Sequence, residues 1–282
     1  MKLRAVKLEE LDHAVALLKE GFGELHPSSW RESLLSIFKH AETFGETSIG
    51  SIAFNKDGDI GICLAIPAQH FIYETEPRKV INLAALYLKS QYQWMAPVFV
   101  RRLMSDTSAD YVDVTPSRSM QEINRHLGFS TLSVGTVIVV LACAAFRRSP
   151  QTRILPYGQA TSGHVCEPIK ELMEKHAEQG CLCLIVEHKG KHYPFIVKRK
   201  DRSGLPSSRV LLAQDRSFIK DIIGPLARHL IAKGILCLEF DGKDKQGLWE
   251  TAIRPVRPCI QSTRPSDSGA IDHTFSELVF IL

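Results

Sequence analysis

The sequence predicts an α/β (α+β) protein of two similarly ordered halves, each a mixed central sheet flanked by helices. Strand-like apolar runs alternate with amphipathic helical stretches along all 282 residues. Short turns containing glycine join neighbouring strands as hairpins. One order of elements (helix, hairpin, strand, long helix, strand) is met twice, without a direct sequence repeat. The length suits one large domain or two of ordinary size, and the expected division is 1–148 and 149–282.

In the first half, residues 8–20 place Leu11, Ala14, Val15 and Leu18 at helical spacing. A second helix follows "HPSS", with Trp30, Leu34 and Phe38 on one stripe. The strands "TSIGSIAF" and "DIGICLAIP" are joined by the hairpin turn "NKDG". The strand "KVINLAALYLK" then runs into a helix whose expected buried face is Met95, Val98, Phe99 and Leu103. A short strand, "YVDVTP", leads to a helix with Ser119 and Glu122 at capping-box spacing, ending at "HLGF". The run "VGTVIVVLACAAF" is too short to span a bilayer as a helix. Its β-branched residues make it a buried strand that closes this half.

The second half opens with the helix "EPIKELMEKHAEQ" and the strands "CLCLIVEH" and "HYPFIVKRK", turned by "KGK". Alternation puts Tyr193, Phe195 and Val197 on one inward face, so the basic and aromatic residues of this hairpin need no nucleic acid to explain them. A loop rich in Gly, Ser and Pro precedes the strand "RVLLAQD". The longest helix, "RSFIKDIIGPLARHLIAKG", has Ile219, Ile222, Ile223, Leu226 and Leu230 on one face and Gly234 as its stop. The strand "ILCLEF", an irregular polar stretch and a final strand, "SELVFIL", complete the chain.

Composition narrows the function. With 44% apolar and 23% charged residues, the chain has the makings of a packed soluble core. A net charge of +4 favours an anionic ligand but is far short of a nucleic-acid-binding chain. The N-terminus "MKLRAVKLEELDHAV" lacks the apolar core of a secretory signal, so a cytoplasmic location is expected. Seven scattered cysteines without a C-x-x-C read as reduced core thiols. No hydrolase, zinc-protease or P-loop motif is present, and the histidines show no metal spacing, so no metal is expected.

The stretch that raises a functional question is "QYQWMAPVFVRRL", residues 91–103, directly after "VINLAALYLK". A strand running into a helix can hold an anion on free backbone N–H groups, but phosphate-binding turns of this kind are usually rich in glycine. This one has none. With the strand "INLAALYL", the turn "QYQWMAP", the strand "YVDVTP" and "INRHLGF", residues 1–145 resemble the GNAT superfamily, the acyl-CoA-dependent N-acyltransferases. That family typically carries an (Arg/Gln)-x-x-Gly-x-(Gly/Ala) loop after its fourth strand and a Gly-Phe after the later helix. The second half looks like a degenerate copy without an acyl-CoA loop, as in tandem GNAT-like proteins.

The resemblance implies acetyl-CoA or another acyl-CoA as co-substrate, a small-molecule amine as acceptor, and neither nucleic acid nor membrane as partner. Aligned on the family loop, the residues are Gln93, Trp94, Met95, Ala96, Pro97 and Val98. Gln93 fits, Ala96 replaces the first glycine, and Val98 replaces the small second one. Backbone groups near Leu86 and Leu88 take the role of pairing with the pantetheine arm. Asn124 stands where the family often has a tyrosine that protonates the departing thiolate. No general base is identifiable; Asn82 and Asp113 lie on the strands expected to flank the cleft. Two functions follow: an N-acyltransferase acting on an amine of unknown identity, or an inert GNAT-like module that binds a ligand or partner. A tandem aminoacyltransferase drawing on aminoacyl-tRNA is a variant of the first, and it needs a basic channel.

Overall fold

The computed structural model describes residues 1–25, 29–70, 78–133, 135–158, 165–202, 204–242, 251–254, 259–264 and 269–281. The first half supplies β1 (Lys2–Ala5), α1 (Leu11–Phe22), α2 (Trp30–Glu42), β2 (Gly50–Asn55), β3 (Gly58–His70), β4 (Arg78–Leu88), α3 (Ala96–Leu103), β5 (Asp110–Asp113), α4 (Arg118–His126) and β6 (Ser130–Ser133). After these come β7 (Thr136–Val140), α5 (Leu141–Ala144), β8 (Thr152–Pro156), α6 (Glu167–Glu178), β9 (Leu182–His188) and β10 (Lys191–Arg202). The remainder is β11 (Leu205–Ala213), α7 (Arg216–Ile231), β12 (Cys237–Asp241), β13 (Thr251–Arg254), β14 (Ile260–Ser262), β15 (Ile271–Asp272) and α8 (Glu277–Phe280).

Local sequence accounts for most of these elements. Ser29 caps α2 in a full capping box: its Oγ accepts from Glu32 N at 3.2 Å, and Glu32 Oε2 accepts from Ser29 N at 2.9 Å. The helix then buries Trp30, Leu34, Ile37, Phe38 and Ala41 along one stripe. For α4 the cap is Ser117, whose Oγ accepts from Met120 N, rather than Ser119, which lies inside the first turn. In α3 the buried residues are Ala96, Phe99 and Val100, while Val98 faces outward. Of the expected face, Phe99 is buried and Met95 and Leu103 pack part-buried against the same cluster, so only Val98 departs. The helix winds on from a preceding 3-10 turn over Ser90–Met95.

The strands form two mixed sheets, one ordered β1-β2-β3-β4-β5-β14-β6 and the other β13-β7-β12-β11-β10-β9-β8, with β15 added beside β11. Two strands cross the expected division at 148. β7 pairs antiparallel with β12 and β13 in the second sheet. β14 in turn enters the first sheet between β5 and β6, with Gln261 opposite Asp113. One hydrophobic core joins the halves, running from Leu18, Leu34 and Ile62 to Met173, Ile185 and Leu211 and on to Phe275–Phe280.

Three expectations are corrected by these pairings. The run "VGTVIVVLACAAF" is strand only over Thr136–Val140. Leu141–Ala144 turns helical, because Leu141 and Ala144 bury at helical spacing in the core of α7. The Gly-, Ser- and Pro-rich segment before "RVLLAQD" is strand from Leu205 on, since Leu205, Pro206, Ser207 and Ser208 already pair with β10. "SELVFIL" is not a strand: Glu277–Phe280 is a short helix. Its Leu278, Val279 and Phe280 bury together against the α2 side of the core, which a strand with alternating faces could not achieve. The polar stretch after "ILCLEF" lies outside the described residues from 243 to 250. Among the described residues, no helix is long and apolar enough to cross a membrane.

Gly224 fixes the approach of α7 to the α5 segment. A Cβ there meets Arg147 O at 2.0 Å, a backbone atom that cannot swing aside. Gly224→Ala is expected to destabilise the protein by about 1–3 kcal/mol despite alanine's better helix propensity. Urea unfolding measures this, and a stabilised variant would contradict the packing.

Candidate active site

β4 and β5 run parallel only over Val80–Asn82 and Asp110–Val112. Beyond Asn82 the two strands part. On its other edge β4 carries a bulge, where the register with β3 slips between Ile62 and Leu64, and Ala85 takes φ 48°. A non-glycine residue held there is strained, and strain of this kind concentrates at functional sites. A cavity of about 290 Å³ lies in the opening. One side is the backbone segment Leu83–Leu86; the other is Asp113, Thr115–Ser117 and Met120. Val100 of α3, Trp30 of α2 and Phe22 of α1 add apolar walls, and Glu277 and Ile281 enter from the C-terminal segment.

The expected site residues distribute unevenly around this cavity. Leu86 lines it, whereas Leu88 is buried with Ala96 and Phe99 in a separate apolar cluster. Gln93, Trp94, Met95, Pro97 and Val98 do not line it; Trp94 is 74% exposed and Val98 46% exposed. The turn itself is wound up: Tyr92 N donates to Lys89 O at 2.8 Å and Ala96 N to Gln93 O, so these N–H groups point along the helix. Pro97 offers no N–H at all.

Asn124 is fully buried behind the cleft. Its Nδ2 donates to Asp113 Oδ2 at 3.0 Å and to Gln261 Oε1 at 3.1 Å, so it orients the Asp113 carboxylate and ties β14 to β5. Asn82 is likewise buried, its Nδ2 donating to Phe275 O.

Two carboxyl groups dominate the electrostatics. Burial pushes Asp113 up to about 6, against donation from Asn124 and the Thr115 backbone N–H. Burial and then the charge of Asp113 push Glu277 up to about 8, opposed by the Thr115 hydroxyl, which donates to Glu277 Oε1 at 2.8 Å. Cys63, also on the cavity wall, is driven far up by burial and by both acids, so it is an inert thiol there. Glu277 escaped the sequence analysis because a lone acid in an apolar C-terminal run matches no motif. The signal was that very isolation: it is the single charge in "TFSELVFIL".

The second sheet repeats the geometry and then closes it. β11 and β12 run parallel over Ser207–Arg209 and Cys237–Glu239, as β4 and β5 do. Past that point β15 pairs with Leu212 and Ala213, and His273 N donates to Leu211 O at 2.7 Å. His273 Nε2 bonds Asp241 Oδ1 at 2.7 Å. Although burial works against its charge, Asp241 is held well below the carboxylate range by His273, Arg216 and Arg209. The chain's own segment thus fills in the second half the wedge that stays open in the first.

No family model and no curated protein matches the chain. Solved structures do. A GCN5-related N-acetyltransferase from Anabaena variabilis superposes with a TM-score of 0.60 at 10% identity, over 93% of this chain and 72% of that one. A putative acetyltransferase from Pyrococcus horikoshii gives 0.57 at 12% identity, over 99% and 95%. The N-myristoyltransferase of Saccharomyces cerevisiae, solved with myristoyl-CoA bound, gives 0.50 at 11% identity, over 100% and 89%. The chain therefore has a GNAT-superfamily fold. More particularly, it is a tandem GNAT-like fold built on two mixed sheets that exchange β7 and β14.

Proposed function

We propose that the protein is an acyl-CoA-dependent N-acyltransferase whose donor lies along the open edge of β4. The observation that carries this is the cavity where β4 and β5 part, lined on one side by Leu83–Leu86. A strand edge without a neighbouring strand beyond Asn82 suits the amides of a pantetheine arm, and the apolar walls suit its methylenes. The fit to coenzyme A is divided, however. In the 3-10 turn at Ser90–Met95, Tyr92 N and Ala96 N are spent on Lys89 O and Gln93 O, and the diphosphate has no glycine cradle there. The acyl and pantetheine portions supply the thioester; this chain's residues orient it against β4 and exclude water. That wound turn favours the rival, an inert GNAT-like protein that binds a ligand or partner.

Calorimetric titration with acetyl-CoA separates the two. Saturable binding is expected in the unaltered chain, weakened about tenfold or more by Met120→Trp, which fills the cavity, and little changed by Gln93→Ala. Absence of binding, or binding indifferent to Met120→Trp, overturns the acyltransferase assignment.

A further inference from the structure

The cleft is acidic at one end and has nothing to balance it. Among the described residues, its lining holds Asp113 and Glu277 but no lysine, arginine or histidine. Asp113 is provided for, by Asn124 at 3.0 Å and the Thr115 backbone. Glu277 is provided for on one oxygen only: Oε1 accepts from the Thr115 hydroxyl at 2.8 Å, while Oε2, on a side chain 5% exposed, has no hydrogen-bond partner among the described residues. A buried carboxylate oxygen without a donor is costly, and a donor from a bound molecule removes the cost. Nearby, Trp30 spends its indole N–H on Gly23 O at 2.8 Å, which leaves its ring to the cavity as an apolar wall beside Phe22.

We propose that Glu277 receives the acceptor as an ammonium ion and takes its proton, with Asp113 as the second carboxylate, so that the acceptor is a primary amine carried on an apolar body. The transfer step rests on the acyltransferase assignment above; the cation site does not. One proton passes from the ammonium to the Glu277 carboxylate. The neutral amine attacks the thioester carbonyl, the C–N bond forms and the C–S bond breaks. The departing thiolate takes the second amine proton, and Glu277 returns the first to solvent. An amide and free thiol result, with one proton released. The titratable groups around Glu277 are Asp113 on β5 and Cys63 on β3, together with His40 on α2, whose ring lies 5.4 Å from that of Phe280. Glu277 therefore stays protonated near neutrality until a cation enters, and entry of the cation expels that proton.

The test uses the full chain without coenzyme A at pH 7. The probes are 2-phenylethylamine, cyclohexylamine and butylamine, each against its matched alcohol, in calorimetry repeated in buffers of different ionisation enthalpy. At least one amine is expected to bind about tenfold or more tightly than its alcohol, releasing close to one proton. Glu277→Gln is expected to abolish both the preference and the proton release while its unfolding curve shows it folded; Glu277→Asp retains part of the preference. Equal binding of amines and alcohols, or a preference that survives Glu277→Gln, overturns the proposal. If acetyl-CoA binds and the amines do not, this proposal falls and the acyltransferase assignment stands. If the amines bind and acetyl-CoA does not, the cation site stands and the assignment falls.

Discussion

Replacing Phe275 by alanine is expected to cost about 3–5 kcal/mol of stability. The ring is 4% exposed and stacks on His40 of α2 at 4.2 Å, with His176 of α6 at 4.3 Å on another side. Its backbone also joins the halves, since Phe275 N donates to His176 Nε2 and Phe275 O accepts from Asn82 of β4. The side chain is thus a wedge shared by both halves, and its loss opens a cavity at their common core. Phe275 also sits at φ 54°, where glycine is unstrained. Phe275→Gly should therefore cost about 1 kcal/mol less than Phe275→Ala. Urea unfolding of the two variants measures both. A loss below about 1 kcal/mol for alanine, or alanine more stable than glycine, would contradict the wedge.

Glu277→Gln is expected to gain stability over the unaltered protein as pH rises. The folded carboxyl titrates at about 8, against 4.5 for the ordinary side chain. Between those values the folded state holds a proton that the unfolded chain has released, so stability falls as pH rises through this window. Glutamine has no such proton. The stability difference should grow by about 1.4 kcal/mol per pH unit from about pH 5 to pH 8 and level off above. His40 and His176, whose burial lowers them to about 4, work in the opposite sense, their stability being present above 6.5 and lost as pH falls. They occur in both proteins and cancel in the difference. A flat difference across the window would mean that Glu277 is not buried as an acid.

Local patterning made most elements legible, because the period of burial in α2, β4 or α7 is written in consecutive residues. Pairing between distant segments was not. Nothing near Gln261 says that it will face Asp113. Nor does "TVIVV" say that its neighbours are Cys237–Asp241 and Thr251–Arg254. The resemblance placed a cleft between β4 and β5, and a cavity lies there with Leu86 among its lining residues. The turn residues were less legible: Gln93–Val98 align with a binding loop, yet the absence of glycine lets the backbone wind into a 3-10 turn that carries them away from the cavity. Asn124, which stands at the family's tyrosine position, does not line the cavity: it is fully buried behind Asp113, with Gln261 beside it. Glu277 reaches the site only because β14, β15 and α8 carry the chain back across both sheets.

The most direct test of the account is a crystal structure of the protein grown with acetyl-CoA. The thioester is expected between Leu83–Leu86 and Thr115–Ser117, with its carbonyl turned toward the Glu277 end of the cavity and the diphosphate displaced from the Ser90–Met95 turn. Acetyl-CoA bound elsewhere, or a cleft that stays empty at saturating ligand, would contradict it.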